Sequence, residues 1–505
     1  MQHLETKTAR QKKQAELWKE NKGLGGFKNP TAFGKTYMTL NFICKPMLEK
    51  NHLNYFIVVI HTKALKDQWQ ERIKRYLPEW VDRFNVDTVQ GIYTRKVKLE
   101  CSCLIIDELD EFFGQERRKV WDEGYIQFKF LLWLSATPED KLGRHKAFME
   151  KYPLLDEVSV QEALLKGWIA RYREFNLGVE LTPEEKQAYD DVNILFLKNF
   201  AKFDNNFDMV NRCLHKTSPD KDGRIWTAYQ WACAVAAKNG WRPEYSDHVK
   251  NGFPKMFSER EKDTIEDIVA NWNPGTVIGY AKNVMQYVRE RTMIIYNSKA
   301  KREAVLAICK KFPDRKTIMF SQSIAFAEEV ARDLNNEGIR CLTYHSKIES
   351  RPLRKNAKGE PDLFGEGDYV RNKGGQKKGE PKIFSGKVIR DLVIEAVAEG
   401  RCKHLSSGSA LDKGLDIEDI ELGIVTSMTH NPNQYVQRRG RTTRVNPNGD
   451  PSFVYVVNIY ALGTNELGFL KSAQKDTQYV FWITSVDQIT DGLVESSDTF
   501  SLDDL

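Results

Sequence analysis

The chain has little cysteine, and none of it is spaced to mark a metal or redox site. Its eight cysteines are Cys44, Cys101, Cys103, Cys213, Cys233, Cys309, Cys341 and Cys402, with no CxxC among them. That excludes a zinc ribbon and a disulfide framework and leaves scattered reduced thiols as the expectation. The CxC at Cys101 and Cys103 opens an apolar run, which alternate positions on a strand explain. No apolar run approaches the roughly 18 residues that a membrane-spanning helix needs. The opening segment MQHLETKTARQKKQAELWKE lacks the apolar middle of a secretory signal. A cytoplasmic compartment with no membrane partner is therefore expected. No internal repeat of solenoid length is visible. Charge of one sign is also in short supply, since the net charge is only +6. The place of that excess then matters more than its size. Wholesale disorder is excluded, because 26 Phe, 19 Tyr and 11 Trp supply ample apolar area for cores.

What is present is an alternation of short apolar runs and amphipathic stretches over 505 residues, enough for two or three domains. The runs Tyr55–Ile60, Cys103–Ile106 and Phe130–Leu134 are each followed by a polar turn and a helical pattern such as Lys63–Tyr76. A second set comprises Thr317–Phe320, Arg340–Tyr344, Lys403–Ser406, Leu422–Thr426 and Phe453–Ile459. Continuous apolar strands with helical crossovers predict two α/β units, each with a parallel sheet covered on both faces. Between them, residues 183–300 read as helix, clearest at Glu184–Ala201, Trp226–Asn239 and Glu259–Asn271, and carry no chemical motif.

Residues 29–36, NPTAFGKT, lie between a glycine-rich LGGF and a helical pattern. A phosphate-binding loop needs backbone N–H groups at a helix N-terminus, a Lys for the β- and γ-phosphates and a Ser/Thr hydroxyl for Mg²⁺. Gly34, Lys35 and Thr36 supply these, although Asn29 stands at the first glycine position. Downstream, CLIIDELDEF ends an apolar strand in Asp107 and Glu108. These suit a metal-holding and a water-activating carboxylate, aimed from the strand's C-terminal end. Near the far end, QYVQRRGRTTR places Arg441 and Arg444 three residues apart. On one helical turn both could reach a γ-phosphate from a second domain.

Together these residues resemble the superfamily 2 helicases, collinearly across both α/β units. PTAFGKT resembles motif I, VVIHTKALKDQW motif Ia, VDTVQGIY motif Ib, DELD the DExD/H box and LSATP motif III. TIMFSQSIAFAEEVARDL, SALDKGLDI and QRRGRTTR resemble motifs IV, V and VI. Gln11, upstream of Lys35, sits like the family's adenine-reading glutamine. The stretch 162–191 resembles the inter-domain crossing of XPB-type and phage branch-migration DNA helicases, and the DEAD-box RNA group would carry DEAD at 107–110.

The resemblance implies two RecA-like domains, at 1–165 and 301–480. A crossing at 166–182, a helical elaboration at 183–300 and an acidic tail at 481–505 complete the division. It implies ATP and Mg²⁺ as cofactors. Thr31, Gly34, Lys35, Thr36, Gly414 and Asp416 would join Gln11 on the nucleotide, with Thr36 and Asp107 on the metal. Glu108 would serve the attacking water, Gln437 would position it, and Arg441 and Arg444 would act as fingers. Ser135 and Thr137 would relay the cleft's state. Thr62, Lys63, Gln90, Gln322, His345 and Ser409 would contact the strand. Two departures stand out: Phe33 adds bulk to the loop, and Gly408 replaces the usual Thr of motif V. The implied activity is that of an ATP-dependent DNA helicase or translocase acting on single-stranded, forked or branched DNA, phage or mobile-element encoded, in the host cytoplasm. An RNA helicase, a restriction-type motor and a non-catalytic scaffold are the alternatives.

The charge excess has a place. Residues 347–390 hold 12 Lys/Arg against 6 Asp/Glu in a Gly- and Pro-rich context. A loop insertion is expected, either a solvated surface loop or a DNA-gripping or strand-separating element using Phe364, Tyr369 and Phe384 as stacking platforms. Asp487–Leu505 has six acidic residues and no Lys or Arg. It reads as a solvated terminus, or as a docking tail for a replication or recombination protein anchored by Phe500 and Leu502.

Overall fold

The computed structural model describes residues 6–94, 98–114, 117, 121, 124–139, 143–220, 222–239, 274–374, 376–408, 417, 419–429, 432–442, 454–474 and 480–491. The chain divides into two compact units, Met1–Glu180 with Lys301–Leu505, and Leu181–Ala300.

The first lobe of the larger unit is built on Leu24–Lys28 (β1), Phe56–Ile60 (β2), Phe84–Thr88 (β3), Leu99–Asp107 (β4), Ile126–Ser135 (β5) and Leu154–Glu157 (β6). They form a wholly parallel sheet in the order β3-β2-β4-β5-β1-β6. Helices on both faces bury it, so β2 is apolar at every position. Lys28 pairs with Ser135 and Asp107 with Leu134, so β1, β4 and β5 finish level at one edge.

Helix Lys7–Glu20 (α1) starts at the Thr6 cap and lies along the end of β1. The helix after the phosphate loop runs from Lys35–Met38 (α2) through a π-helical Thr39–Cys44 into Lys45–Lys50 (α3). Pro46 explains the wide turn, since its ring has no N–H and would crowd the carbonyl of Phe42 in a regular α-helix. Lys63–Tyr76 (α4) begins at the Thr62 cap, and Val89–Thr94 (α5), His145–Lys151 (α6) and Val160–Leu165 (α7) follow.

The smaller unit packs Pro183–Phe200 (α8), Phe207–Arg212 (α9), Ala228–Lys238 (α10) and Pro274–Tyr296 (α11) around Phe196, Phe200, Phe203, Trp231 and Val284. Its one described hairpin pairs Thr217–Pro219 with Ile225–Thr227. The expected helix Glu259–Asn271 lies outside the described residues.

The second lobe's sheet is also wholly parallel. Across it run Cys341–His345, His404–Gly408, Thr317–Ser321, Leu422–Val425, Val454–Ala461, Tyr172–Val179 and Val480–Ile483. Tyr172–Val179 lies in the stretch read as an inter-domain crossing, and it adds a long strand to this sheet before the chain enters the helical unit. Its buried polar residues Glu174 and Asn176 hide it from an apolar-run criterion. Helices Lys299–Lys311, Ile324–Asn336, Gly386–Ala398, Pro432–Thr442 and Glu466–Ala473 complete the described part of the lobe.

The described residues of 347–385 carry short antiparallel pairings within the loop. Arg351–Pro352 pairs with Ile383–Phe384, and Arg354–Lys355 with Pro361–Asp362, over a small core of Leu353, Phe384 and Ile389. This corrects the expectation of stacking platforms. Phe384 is buried, Phe364 joins the sheet's core beneath Arg340, and Tyr369 lies beneath Arg354, at 4.7 Å in each case. The segment's end is also regular structure, because helix Gly386–Ala398 starts inside it. All eight cysteines are buried and unbonded. Among the described residues no helix is long and apolar enough to cross a membrane.

Candidate nucleotide site

The phosphate loop is held from behind by one face of α1. Lys7, Gln11, Gln14 and Trp18 are spaced four, three and four residues apart and so line up. The Lys7 ammonium donates to the carbonyls of Ala32 (2.8 Å) and Trp168 (3.0 Å). The Gln11 amide donates to the Phe33 carbonyl at 2.8 Å. The Gln14 and Asn29 amides bond each other in both directions, at 2.8 and 2.9 Å. The Trp18 indole donates to Leu131. Asn29 is therefore a buried anchor at the place where a glycine was expected. Phe33 also departs from the expectation of bulk beside the phosphates. Its ring turns into the protein, fully buried with Val158, Ala163 and Ile169 and edge-on to Trp168 at 5.7 Å.

Gly34 has φ +87, and a Cβ there would come within 3.0 Å of the Gln11 amide. The left-handed turn thus suits glycine and delivers Lys35 to the helix start. The Lys35 ammonium lies 3.4 Å from Glu108 Oε1. Burial works against its charge, but Glu108, Asp107 and Asp110 outweigh that and raise its pKa. Glu108 itself sits at φ +57, a strained conformation for a residue with a side chain.

Helix α4 supplies two groups that sequence reading missed. The Trp69 indole donates to Asp107 Oδ2 and the Arg72 guanidinium to Thr36 Oγ1, each at 2.8 Å. The two are one helical turn apart, so a single face of α4 touches both expected metal ligands. The Trp that ends motif Ia, three residues before an Arg on the same helix, was the available signal. Asp107 is pushed up to about 6 by burial and by the charge of Glu108, against Lys35, Trp69 and Arg72. Ser135 donates to Asp110 at 2.7 Å and accepts from the Thr137 amide. Asp110 is pushed up to about 7 by burial and by Glu108. Hard oxygen donors at Thr36 and Asp107, in a cleft crowded with carboxylates, fit Mg²⁺. Among the described residues no three carboxylate, His or Cys side chains converge on one metal position. Phosphate oxygens and water would complete the shell.

The second lobe brings its arginine helix Pro432–Thr442 to this loop. A Cβ on Gly440 would fall 2.1 Å from Thr31 Cβ, so helix backbone and phosphate loop are in direct apposition. Arg438 is buried and donates to the Ser427 carbonyl. Arg439 lies 3.8 Å from Glu174 and over the Tyr172 ring. Glu174 is fully buried, which raises its pKa against the pull of Arg439, Asn458 and Gln474. Gln474 also donates to Tyr435 of the same helix. Two of the motif's arginines thus belong to the lobe's own fold. Gln437 is half-buried. The Arg441 side chain, Arg444, Ser409, Gly414 and Asp416 lie outside the described residues.

Among the expected strand contacts, Thr62 caps α4, while Lys63 and Gln90 are exposed. Gln322 follows Ser321 at the sheet's C-terminal edge, its backbone N–H donating to the Ser427 hydroxyl. His345 is not available to a strand. It is buried and 3.1 Å from Glu328, and burial lowers its pKa.

Residues 4–140 match the family model described as type III restriction enzyme, res subunit, and residues 386–446 that of the helicase conserved C-terminal domain. The DNA 3'-5' translocase XPB2 of Sulfurisphaera tokodaii is 23% identical over 428 residues, 82% of this chain and 73% of its own length. The Pyrococcus furiosus Hef helicase domain is 15% identical, with a TM-score of 0.45, over 91% of this chain and 97% of its own. A Dbp5 variant of S. cerevisiae bound to RNA and ADP–BeF3 is 11% identical, with a TM-score of 0.49, over 95% of this chain and 90% of its own. The two family models fall on the two parallel-sheet lobes, with the motifs in order along both, and together with the XPB2 relative they support a superfamily 2 helicase similar to XPB, whose helicase domains imply an ATP-hydrolysing nucleic-acid motor.

Proposed function

We propose that this chain is an ATP-driven translocase or helicase that moves on DNA and remodels duplex or branched DNA. The observation that carries the reading is the apposition of Gly440 and Thr31, which supports one cleft shared by both lobes. In this reading Lys35 neutralises the β- and γ-phosphates, Thr31 and Gly34 shape the loop, and Gln11 ties adenine recognition to the Phe33 carbonyl. Thr36 and Asp107 would hold Mg²⁺, which would supply charge neutralisation at the phosphates. Glu108 takes the proton of the attacking water, and its strained backbone aims the carboxylate at the cleft. Gln437, Arg441 and Arg444 act on the attacking water and the γ-phosphate as the second lobe's contribution, and Gly414 and Asp416 serve the nucleotide. Such arginine fingers are worth about 10³–10⁵ in rate. Ser135 and Thr137 pass the state of the box, through Asp110, to the strand-facing side. Thr62, Lys63, Gln90, Gln322 and Ser409 hold phosphates there.

Lys35→Ala and Glu108→Gln should abolish hydrolysis while leaving DNA binding in place. Turnover surviving in either variant would sink the assignment. ATPase assays with DNA and RNA cofactors decide the polymer, and stronger stimulation by RNA would overturn the DNA reading. The restriction-subunit match over residues 4–140 favours a second reading, translocation without strand separation. Triplex displacement in the absence of fork unwinding is its signature.

A further inference from the structure

The basic segment has a division of charge that its overall composition conceals. The arm spanning 355–368 carries Lys355 and Lys358 against four carboxylates. The arm spanning 371–382 carries Arg371, Lys373, Lys377, Lys378 and Lys382 against Glu380 alone. One arm is net negative and the other strongly positive.

The described residues of the positive arm form a hairpin. Arg371 bridges Pro381, the Asn372 amide donates to the Glu380 carbonyl at 2.9 Å, and the Gly379 amide donates back to Asn372 at 3.0 Å. The Arg371 side chain ties the turn by donating to the Gly379 carbonyl at 2.7 Å. Its root is fixed, because Val370 and Phe384 pack with Leu353 and Ile389. Its tip is wholly polar. Lys373, Lys377 and Lys378 are exposed, and among the described residues they make no ion pair. The acidic arm differs, for its Asp362 pairs with Arg401 at 3.0 Å. Among the described residues nothing pairs with the three ammonium groups, and their mutual repulsion works against the fold. Three exposed ammonium groups on one hairpin are suited to the phosphates of a nucleic-acid backbone.

The placement agrees. The segment leaves the sheet at His345, which is level with Gly408 and Ser321. That is the edge that carries Gln322. We propose that the 371–382 hairpin is a second grip on the nucleic-acid backbone, sequence-independent and outside the two-lobe track. It is not a strand-separating wedge, because its tip, residues 372–380, carries no apolar or aromatic side chain to insert between bases. This rests on the nucleic-acid motor reading above.

The test is a salt titration of DNA binding by the full chain, wild type beside Lys373→Ala/Lys377→Ala/Lys378→Ala. On duplex DNA each lost contact removes about 0.9 from the slope of log K against log salt, so the triple variant should lose about two to three units. The triple Lys→Arg variant should keep the wild-type slope, and nucleotide turnover without DNA should be unchanged in both. A triple-Ala slope equal to that of wild type would overturn the grip and leave the motor standing. Absence of salt-dependent binding in wild type would overturn the motor reading, and the grip with it.

Discussion

Asn29 stands where a phosphate loop ordinarily opens with glycine. The two-way amide pair with Gln14 makes sense of it: the loop gives up backbone freedom and gains a side-chain anchor. Gln14→Ala should strand the Asn29 amide in a buried site and cost about 1–3 kcal/mol, read by urea unfolding. Gln14→Glu keeps an acceptor for Asn29 but replaces the donor to Asp156 Oδ2 (2.9 Å) by a buried carboxylate, and should cost at least as much as Ala. Trp69→Phe removes the donor on Asp107 and little volume. It should weaken nucleotide binding in the presence of Mg²⁺ by about tenfold, the worth of one charge-assisted hydrogen bond. An unchanged nucleotide affinity in that variant would show that Asp107 needs no orienter. Lys301 and Glu466 form a fully buried pair at 2.6 Å, with Glu466 also accepting from the Met428 and Ala461 amides. Lys301→Ala leaves that carboxylate uncompensated and should cost about 3–5 kcal/mol in thermal or urea unfolding.

At the scale of elements, the sequence made the sheet centres plain and the scaffolding obscure. β2, β4 and β5 were legible because a strand buried on both faces must be apolar throughout. Tyr172–Val179 was not, because its interior positions include Glu174 and Asn176, whose partners Asn458 and Gln474 lie far along the chain. The role of α1 was equally hidden. Its loop-facing side is the half-buried Lys7 with the buried Gln11 and Gln14, polar groups bonded to loop oxygens, and only Ala15 and Trp18 are apolar among its buried residues, so no long apolar stripe announces it. Lys35, Asp107 and Glu108 were readable since local order along the chain places them. Trp69 and Arg72 were not, since their partners are set by how α4 lies on the sheet. The arginine helix gives the sharpest prediction at this scale. Gly440→Ala would drive a methyl into Thr31. The closed cleft should fail to form, and DNA-stimulated ATPase should fall by at least tenfold with DNA binding retained. Activity at the wild-type level would mean that the two elements never meet during turnover.

At the scale of the molecule, nucleotide should act on the larger unit. An ATP analogue with Mg²⁺ at a hundredfold excess over its Kd stabilises a folded site by about 2.7 kcal/mol. Hydrogen exchange should show that protection at the phosphate loop, the end of β4 and the arginine helix, and weaker change in α8 and α11. Protection confined to the first lobe would argue against a shared cleft. One feature of the second sheet has a bearing on biosynthesis. Tyr172–Val179 is flanked by Val454–Ala461 and Val480–Ile483, both made some three hundred residues later. A nascent chain that has emerged from the ribosome only as far as the helical unit holds a finished first lobe and a strand with both edges bare. That strand must wait for almost the entire polypeptide before it can be zipped in. A chaperone that shields sheet edges, or slow translation ahead of residue 454, would decide how much of this motor is born intact.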